Sequence, residues 1–459
     1  MLVTANALAV GRGRDGHCAI RGSGGSLTDA ELGATAAEVA AQSTRWAAHT
    51  DDRSPFVALL GDWTPEFVAA FLGLVSSGWA VGVLDLTWSP IEIAAALDQL
   101  DPCALLVAGE MDAVPQTGWS DALHTLPGWT VLTRDARGVP APPPRSDSPF
   151  YVGFTSGSSG RPKAFVRSHR SWWESFERFS AICPLDPEGT VLVPGPLSSS
   201  HFLFGALHAL HVGSTVELVS SAEYSPGYVA RRVADPRPLS GMYVVPTMLA
   251  QQAATAGGGA PDHIFCAGAR LDRTVREQAA RRFPSSRLVE YYGASELSFV
   301  AIQVDGDGTP PGSVGRVFPG VEVSIRDDRD LPVAAGEPGV IWARSELVFA
   351  GYRGEAPSGG ARSLPDGWLT VGDRGVLDSD GYLAVAGRGS ALIITGGANV
   401  QPEEVEAVVA AADGVDECVV VGIPEATWGQ LVCAVITSAR PDALSRGDLR
   451  SHVARHLAR

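Results

Sequence analysis

Tyr151-Val152-Gly153-Phe154-Thr155-Ser156-Gly157-Ser158-Ser159-Gly160-Arg161-Pro162-Lys163-Ala164 is the stretch from which the rest of the chain is read. A β-rich run, 150–154, leads into a glycine- and serine-rich turn that ends in Pro-Lys. Backbone N–H groups in such a turn can converge on phosphate oxygens. Of the 35 lysine and arginine residues, Lys163 is the one lysine. An ammonium is a compact point charge on a flexible stem, which a guanidinium does not reproduce. The stretch therefore reads as a nucleotide phosphate loop. Its spacing, Gly157-x-x-Gly160-x-x-Lys163 with no hydroxyl after the lysine, is not that of a Walker loop. A flexible Gly/Ser linker has no reason to follow a strand and end in a basic cluster.

The net charge of −16 argues against nucleic acid or an anionic membrane as the main partner. Against that background Arg161, Lys163, Arg167, His169 and Arg170 form a locally cationic stretch, as a phosphate site requires. The 459 residues, 45% apolar and 19% charged, imply about two to four globular units. Cys18, Cys103, Cys183, Cys266, Cys418 and Cys433 show no C-x-x-C and no regular spacing. Free thiols in a reducing cytoplasm are expected, with neither zinc nor disulfides. The N-terminus has no signal-peptide pattern. Residues 67–84 run 18 positions without a charge, near the lower limit of a membrane span. Ser76-Ser77-Gly78 interrupts that run, and Thr64-Pro65 makes a helix start. The reading is a buried helix, a Gly78 cap and a strand at 80–84, in a cytoplasmic protein with no membrane span.

From residue 56 onward, apolar β-like runs alternate with helical segments. The strands fall at 56–60, 81–84 and 104–107, then at 191–193, 215–219, 242–245, 264–266 and 288–291. Such alternation implies βαβ units with parallel sheets. The proline-rich 139–149 separates the two sets. Beyond about 310 the pattern changes to antiparallel strands, and Asp380-Gly381 marks a hairpin. The last unit mixes helices at 402–411 and 444–457, with Asp442 or Ser445 as cap, and strands at 418–421 and 431–437.

Four further segments share a pattern with one family. They are Gly268-Ala269-Arg270; Tyr292-Gly293-Ala294-Ser295-Glu296; Gly367-Trp368-Leu369-Thr370-Val371-Gly372-Asp373; and Gly387-Arg388 followed by Gly396-Gly397-Ala398-Asn399-Val400-Gln401-Pro402-Glu403-Glu404-Val405-Glu406. With the Lys163 loop, their order and spacing resemble the acyl-adenylate-forming enzymes: acyl-CoA synthetases, peptide-synthetase adenylation domains and luciferases. The Gly396–Asn399 sequence is most similar to CoA ligases. The resemblance covers almost the whole chain. It implies an α/β fold with a large N-terminal domain, 1–386, of two βα sheets plus a small β-barrel-like subdomain. The subdomains fall at about 1–148, 149–310 and 311–386. A small, mobile α+β C-terminal domain, 387–459, follows.

The implied chemistry joins a carboxylic acid to a thiol through acyl-AMP, with ATP, Mg²⁺ and CoA. By resemblance, Thr155, Ser156, Gly157, Ser158, Ser159, Gly160 and Lys163 hold the β- and γ-phosphates. Gly268, Ala269 and Arg270 border the adenine, and Tyr292, with Gly293 and Ala294 after it, stacks on it. Ser295 reaches the α-phosphate. Glu296 and Thr155 bind Mg²⁺, a hard cation suited to oxygen ligands. Asp373 accepts from the ribose hydroxyls, since a carboxylate is an acceptor with two oxygens. Arg388 holds the ribose–phosphate side, and Gly396 and Gly397 serve the thioester step. Lys163, Glu296 and His201 are the expected catalytic set. His201 occupies the place of an acyl-pocket gate in relatives; a helix-face histidine and a metal cluster with His208 and His211 are the alternatives. Trp172-Trp173 reads as core, and pocket depth falls to residues around 243–247 and 291–299.

The family also uses a lysine near its C-terminal end. Lys163 is the only lysine here, so the small domain is expected to lack the terminal lysine loop and adenylation to be impaired. Ser390 stands at a hinge position where relatives carry Asp or Lys. Residues 197–204 contain no aspartate to hold an α-amino group, so the expected acid is a non-amino one, fatty or aryl. The acceptor is CoA or a separate carrier protein, and a homodimer is compatible with these features. A variant reading performs only the thioester step from a preformed acyl-adenylate. A rival is a non-catalytic adenylate-binding scaffold.

Overall fold

Strands that are apolar on both faces need helices over each side, which gives layered α/β units. The computed structural model describes residues 1–9, 14, 16–44, 56–109, 114, 119–126, 128–133, 141–155, 162–255, 257–354, 360–388, 393–400, 402–425, 427–438 and 445–457. Its first sheet has eight strands. The centre is parallel: Pro149–Thr155, Ala80–Leu84, Phe56–Leu60 and Ala104–Val107. Lys163–Ser168 and Gly351–Tyr352 add antiparallel strands on one side, Trp129–Thr133 and Ser120–Leu126 on the other. The second sheet has nine strands. Arg287–Ala294, His263–Cys266, Gly241–Val244, Thr190–Val193, Thr215–Leu218 and Cys18–Gly22 run parallel in that order.

Sheet membership departs from chain order twice. Pro149–Thr155 and Lys163–Ser168, expected to open the second stretch, complete the first sheet, because Pro149–Thr155 pairs in parallel with Ala80–Leu84. The hairpin of Cys18–Gly22 and Gly25–Thr28, whose residues fall within 1–148, edges the second sheet beside Thr215–Leu218. A boundary at 148/149 therefore divides the chain but not the sheets.

The helices Pro65–Ser76, His169–Ile182 and Ser200–Val212 share one core with both sheets. Pro65–Ser76 is the charge-free helix read from the sequence. Its residues 67–75 are all buried, as a helix enclosed on every side requires. Thr64 caps it by accepting the Phe67 N–H at 3.2 Å, a contribution of about 1 kcal/mol. Gly78, at φ +97°, turns the chain into Ala80–Leu84. Among the described residues no helix is long and apolar enough to cross a membrane. Pro90–Leu100 covers the outer face of the first sheet. Pro226–Val233, Pro246–Ala253 and Arg273–Arg282 cover that of the second.

The region after residue 310 forms a six-stranded antiparallel sheet. Its hairpin at Asp380-Gly381 has Gly381 at φ +81°. The last unit is a four-stranded antiparallel sheet. Pro402–Ala410 and Arg446–His456 pack together over Val420. Ser445 caps the second helix by accepting from Gly447 and Asp448; Asp442 lies outside the described residues.

Candidate active site

Residues that follow parallel strands converge at one edge of a sheet, and here they line a cavity of about 560 Å³. Gly241–Val244 delivers Val245, and His263–Cys266 delivers Ala267, Gly268, Ala269 and Arg270. Arg287–Ala294 brings Tyr291 through Ala294, with Ser295 just beyond it. Asp373 enters from the antiparallel sheet.

Asp373 opens the strand Asp373–Leu377 and pairs in register with Arg388 across the hairpin. Gly372, at φ +84°, aims it inward. That turn is held because the Gly372 N–H donates to Thr370 Oγ1, whose hydroxyl donates to the Ile341 carbonyl. The Tyr292 hydroxyl donates to Asp373 Oδ2 at 2.6 Å. The residue expected to stack on adenine is thus tied to the one expected to take the ribose. The Arg388 side chain lies outside the description.

Arg167, 2% exposed, reaches from the Lys163–Ser168 strand to the segment that carries Ser295. Its Nη1 donates to the Ser295 carbonyl at 2.9 Å, Nη2 to the Leu347 carbonyl at 2.6 Å and Nε to Ser171 Oγ at 3.2 Å. Burial pulls its pKa down to about 9, against the raising influence of Tyr151 and Glu296. Glu296 is buried, and its Oε1 accepts from the Tyr352 hydroxyl at 2.7 Å. Tyr352 sits on the short strand paired with Phe165, so the Lys163 strand and Glu296 are braced through it. Lys163 is buried opposite Thr155 at the mouth of the hairpin. Neither Lys163 nor Glu296 is part of the cavity wall. Ser156, Gly157, Ser158, Ser159, Gly160 and Arg161 lie outside the described residues.

His201 is held at both nitrogens. Nε2 stands 3.0 Å from the Val244 carbonyl and Nδ1 2.5 Å from the Tyr291 hydroxyl. A carbonyl can only accept, so Nε2 carries the proton and Nδ1 accepts from Tyr291. Burial pushes the His201 pKa down to about 4. The ring is a neutral part of the cavity wall, bonded at both nitrogens, with no proton to exchange in this arrangement. His208 bonds Ser180 and His211 bonds Glu177. Among the described residues no group of three or more His, Cys, Asp or Glu can hold a metal ion. The cavity's apolar end is aromatic: Phe204 meets Phe299 at 5.0 Å, and Tyr291 meets Phe299 at 4.7 Å. Phe179 packs behind all three. Trp172 is core and also cavity wall, whereas Trp173 packs on His211. Ser298, at φ +63°, is a non-glycine residue in the left-handed region on the same wall.

The small C-terminal unit adds to the cavity wall. Gly396 (φ +58°) and Gly397 (φ +84°) make the turn between Ile393–Thr395 and Ala398–Val400. Ile394 and Gly397 join the wall. A Cβ on Gly397 would lie 2.7 Å from Val245 Cγ2.

The structure therefore gathers Gly268, Ala269, Arg270, Tyr292, Gly293, Ala294, Ser295, Asp373, His201 and Gly397 around one space. The locally cationic stretch divides. His169 is buried with its pKa down to about 4 and accepts the Val3 N–H, so it adds no charge at neutral pH. Arg170 pairs with Asp147 at the surface. Arg167 was read only as part of that charge run; its burial and its reach to Ser295 depend on a contact across 128 residues.

Two family models match the chain: AMP-binding enzyme over residues 8–353, and AMP-binding enzyme C-terminal domain over residues 404–459. An uncharacterized acyl–CoA ligase, YhfT of Bacillus subtilis, is 35% identical over 86% of this chain and 81% of its own length. VraA of Staphylococcus epidermidis, a putative long chain fatty acid–CoA ligase, is 32% identical over 68% of this chain and 65% of its own. Among solved structures, the amide bond synthetase McbA from Marinactinospora thermotolerans superposes with a TM-score of 0.83 at 26% identity, covering 100% of this chain and 93% of that one. A malonyl-CoA ligase complex gives 0.80 at 26% identity, covering 98% and 96%. The chain is a member of the AMP-binding enzyme family, the acyl-adenylate-forming enzymes.

Proposed function

We propose that the chain is an AMP-forming acid–thiol ligase of the acyl-CoA synthetase kind, acting on a non-amino carboxylic acid. A carboxylate oxygen attacks the α-phosphorus of ATP, and the bond from that phosphorus to the pyrophosphate oxygen breaks. The thiolate of CoA, or of a carrier protein, then attacks the acyl carbon, and the bond to the phosphate oxygen breaks to release AMP. One observation carries the reading: a single cavity joins the Tyr292–Asp373 pair, an aromatic pocket and the Gly397 turn of the small unit. The first suits a ribose, the second an acyl group and the third a thiol arriving between the two units.

Tyr292 and Asp373 orient the sugar, while Phe204, Tyr291 and Phe299 exclude water from the acyl end. Lys163, opposite Thr155 on the paired strand, supplies positive charge for the departing pyrophosphate. Mg²⁺ fits the donor set, because Glu296 supplies one carboxylate and this ion is usually held by one or two carboxylates plus substrate oxygens and water. Bound there, it supplies neutralisation of phosphate charge.

Incubation of the full chain with ATP, Mg²⁺, CoA and a panel of fatty and aryl acids tests this, with AMP, pyrophosphate and thioester measured by mass spectrometry. Acid-dependent AMP and thioester support the ligase. Thioester from synthetic acyl-AMP without pyrophosphate release restricts the chain to the second half-reaction. AMP binding with neither activity favours the scaffold, and ADP in place of AMP refutes adenylation.

A further inference from the structure

Arg167 is a buried cation whose partners are all neutral. Its hydrogen bonds go to two backbone carbonyls and one serine hydroxyl. Among the described residues no carboxylate lies within ion-pair distance of it, although a guanidinium and a carboxylate suit each other well. Glu296 acts on it only at longer range and is itself oriented by Tyr352. A buried charge without a counter-ion is costly to a fold. Five N–H donors are available on a guanidinium, and three partners account for three of them. The same side chain forms part of the cavity wall beside Trp172, Ser200 and Ser295. An anion entering that cavity would supply the missing counter-charge.

We propose that Arg167 binds an anionic oxygen of the reacting substrates while its other donors hold the segment carrying Ser295 and Glu296. The oxygen belongs either to the carboxylate of the acid or to the phosphate of the adenylate. The inference rests on the ligase reading given above. The cation therefore does two things at once: it fixes the Ser295 backbone, and it places positive charge where the acid and the nucleotide meet.

The test uses the full chain, with wild type assayed first. If wild type neither binds AMP nor turns over any acid, the ligase reading fails and Arg167 with it. If wild type is active, Arg167→Gln, Arg167→Met and Arg167→Lys are compared by titration with AMP and with adenosine, and by the KM for the acid against kcat. Loss of one charge-assisted hydrogen bond should weaken the relevant ligand about ten- to hundredfold. Weakened AMP with unchanged adenosine assigns the phosphate. A raised acid KM with unchanged AMP affinity assigns the carboxylate. Arg167→Lys, which keeps the charge, should recover part of either loss. The proposal is overturned if both ligands stay within about twofold of wild type, or if AMP and adenosine weaken equally, which is the signature of a collapsed backbone. Arg167→Met, which keeps an unbranched apolar side chain and buries no charge, guards against a folding artefact. Failure of both neutral variants to fold would also overturn it, by showing a structural demand on Arg167 alone.

Discussion

Replacing Gly397 by alanine should separate the two half-reactions. The residue sits at φ +84°, where an L side chain is strained by about 1–2 kcal/mol. The new Cβ would lie 2.7 Å from Val245 Cγ2 and 3.0 Å from both Cβ and Cγ1 of the same residue. Val245 is part of the cavity wall and is itself buried, which restricts its movement, and overpacking of this kind costs about 1–3 kcal/mol. Together these give about 2–5 kcal/mol against the docked small unit, or about 30- to 5,000-fold in its population. Thioester formation from synthetic acyl-AMP and CoA should fall by a factor in that range. On the proposed reading only the thioester step uses this turn, so pyrophosphate release should change far less. Val245→Ala in the same chain removes the contacts to Cγ1 and Cγ2 but leaves the 3.0 Å contact to Cβ and the backbone strain, so it should restore part of the rate. Thioester formation within about twofold of wild type in Gly397→Ala would refute the argument, and equal loss of both half-reactions would show a general fault instead.

Tyr292→Phe removes the hydroxyl that donates to Asp373. A bond to a charged partner contributes about 1.5–3 kcal/mol, so AMP-dependent thermal stabilisation should shrink, and an unchanged AMP titration would contradict the ribose assignment. Gly205→Ala tests packing against propensity in the helix Ser200–Val212. Alanine is favoured there by about 1 kcal/mol, but its Cβ would lie 2.7 Å from the buried Tyr243 ring, so the midpoint of thermal unfolding should fall rather than rise. Burial holds His169 and His201 at about 4 and His208 at about 3. The unfolded chain takes up these protons near pH 6.5 and the native one does not. Stability is therefore full above about pH 6.5 and lost as pH falls towards 4, by about 1.4 kcal/mol per pH unit for each histidine. Urea midpoints between pH 7 and pH 5 should show the slope, and His208→Phe should lessen it; a flat profile would exclude the neutral assignment.

Local signals carried most of the fold. Thr64-Pro65 marked a helix start, Asp380-Gly381 a hairpin and the alternation from residue 56 a pair of parallel sheets, because each depends on neighbours in the chain. Sheet membership was not legible in the same way. Nothing within 18–28 says that this hairpin will lie beside Thr215–Leu218 and not beside Phe56–Leu60. The site shows the same division. Tyr292, Asp373 and Gly397 stand in motifs with fixed spacing and were readable. Arg167 differs from the surface Arg170 only in where the strand turns it, and Trp172 and Phe204 become cavity wall only when two helices meet between the sheets.

The placement of the first hairpin bears on how the protein is made. Arg21 meets Glu217, its partner 196 residues later, and Ile20 pairs with Val216. At ribosomal speeds of about 5–20 residues per second, that strand emerges about 10–40 s before its neighbour exists. The first sheet, drawn from residues 56 to 168 apart from one short edge strand, is complete in its centre well before then. Cys18–Gly22 thus waits for Thr215–Leu218 while the centre of the first sheet forms, and a nascent chain must keep it from pairing with that sheet's edge meanwhile.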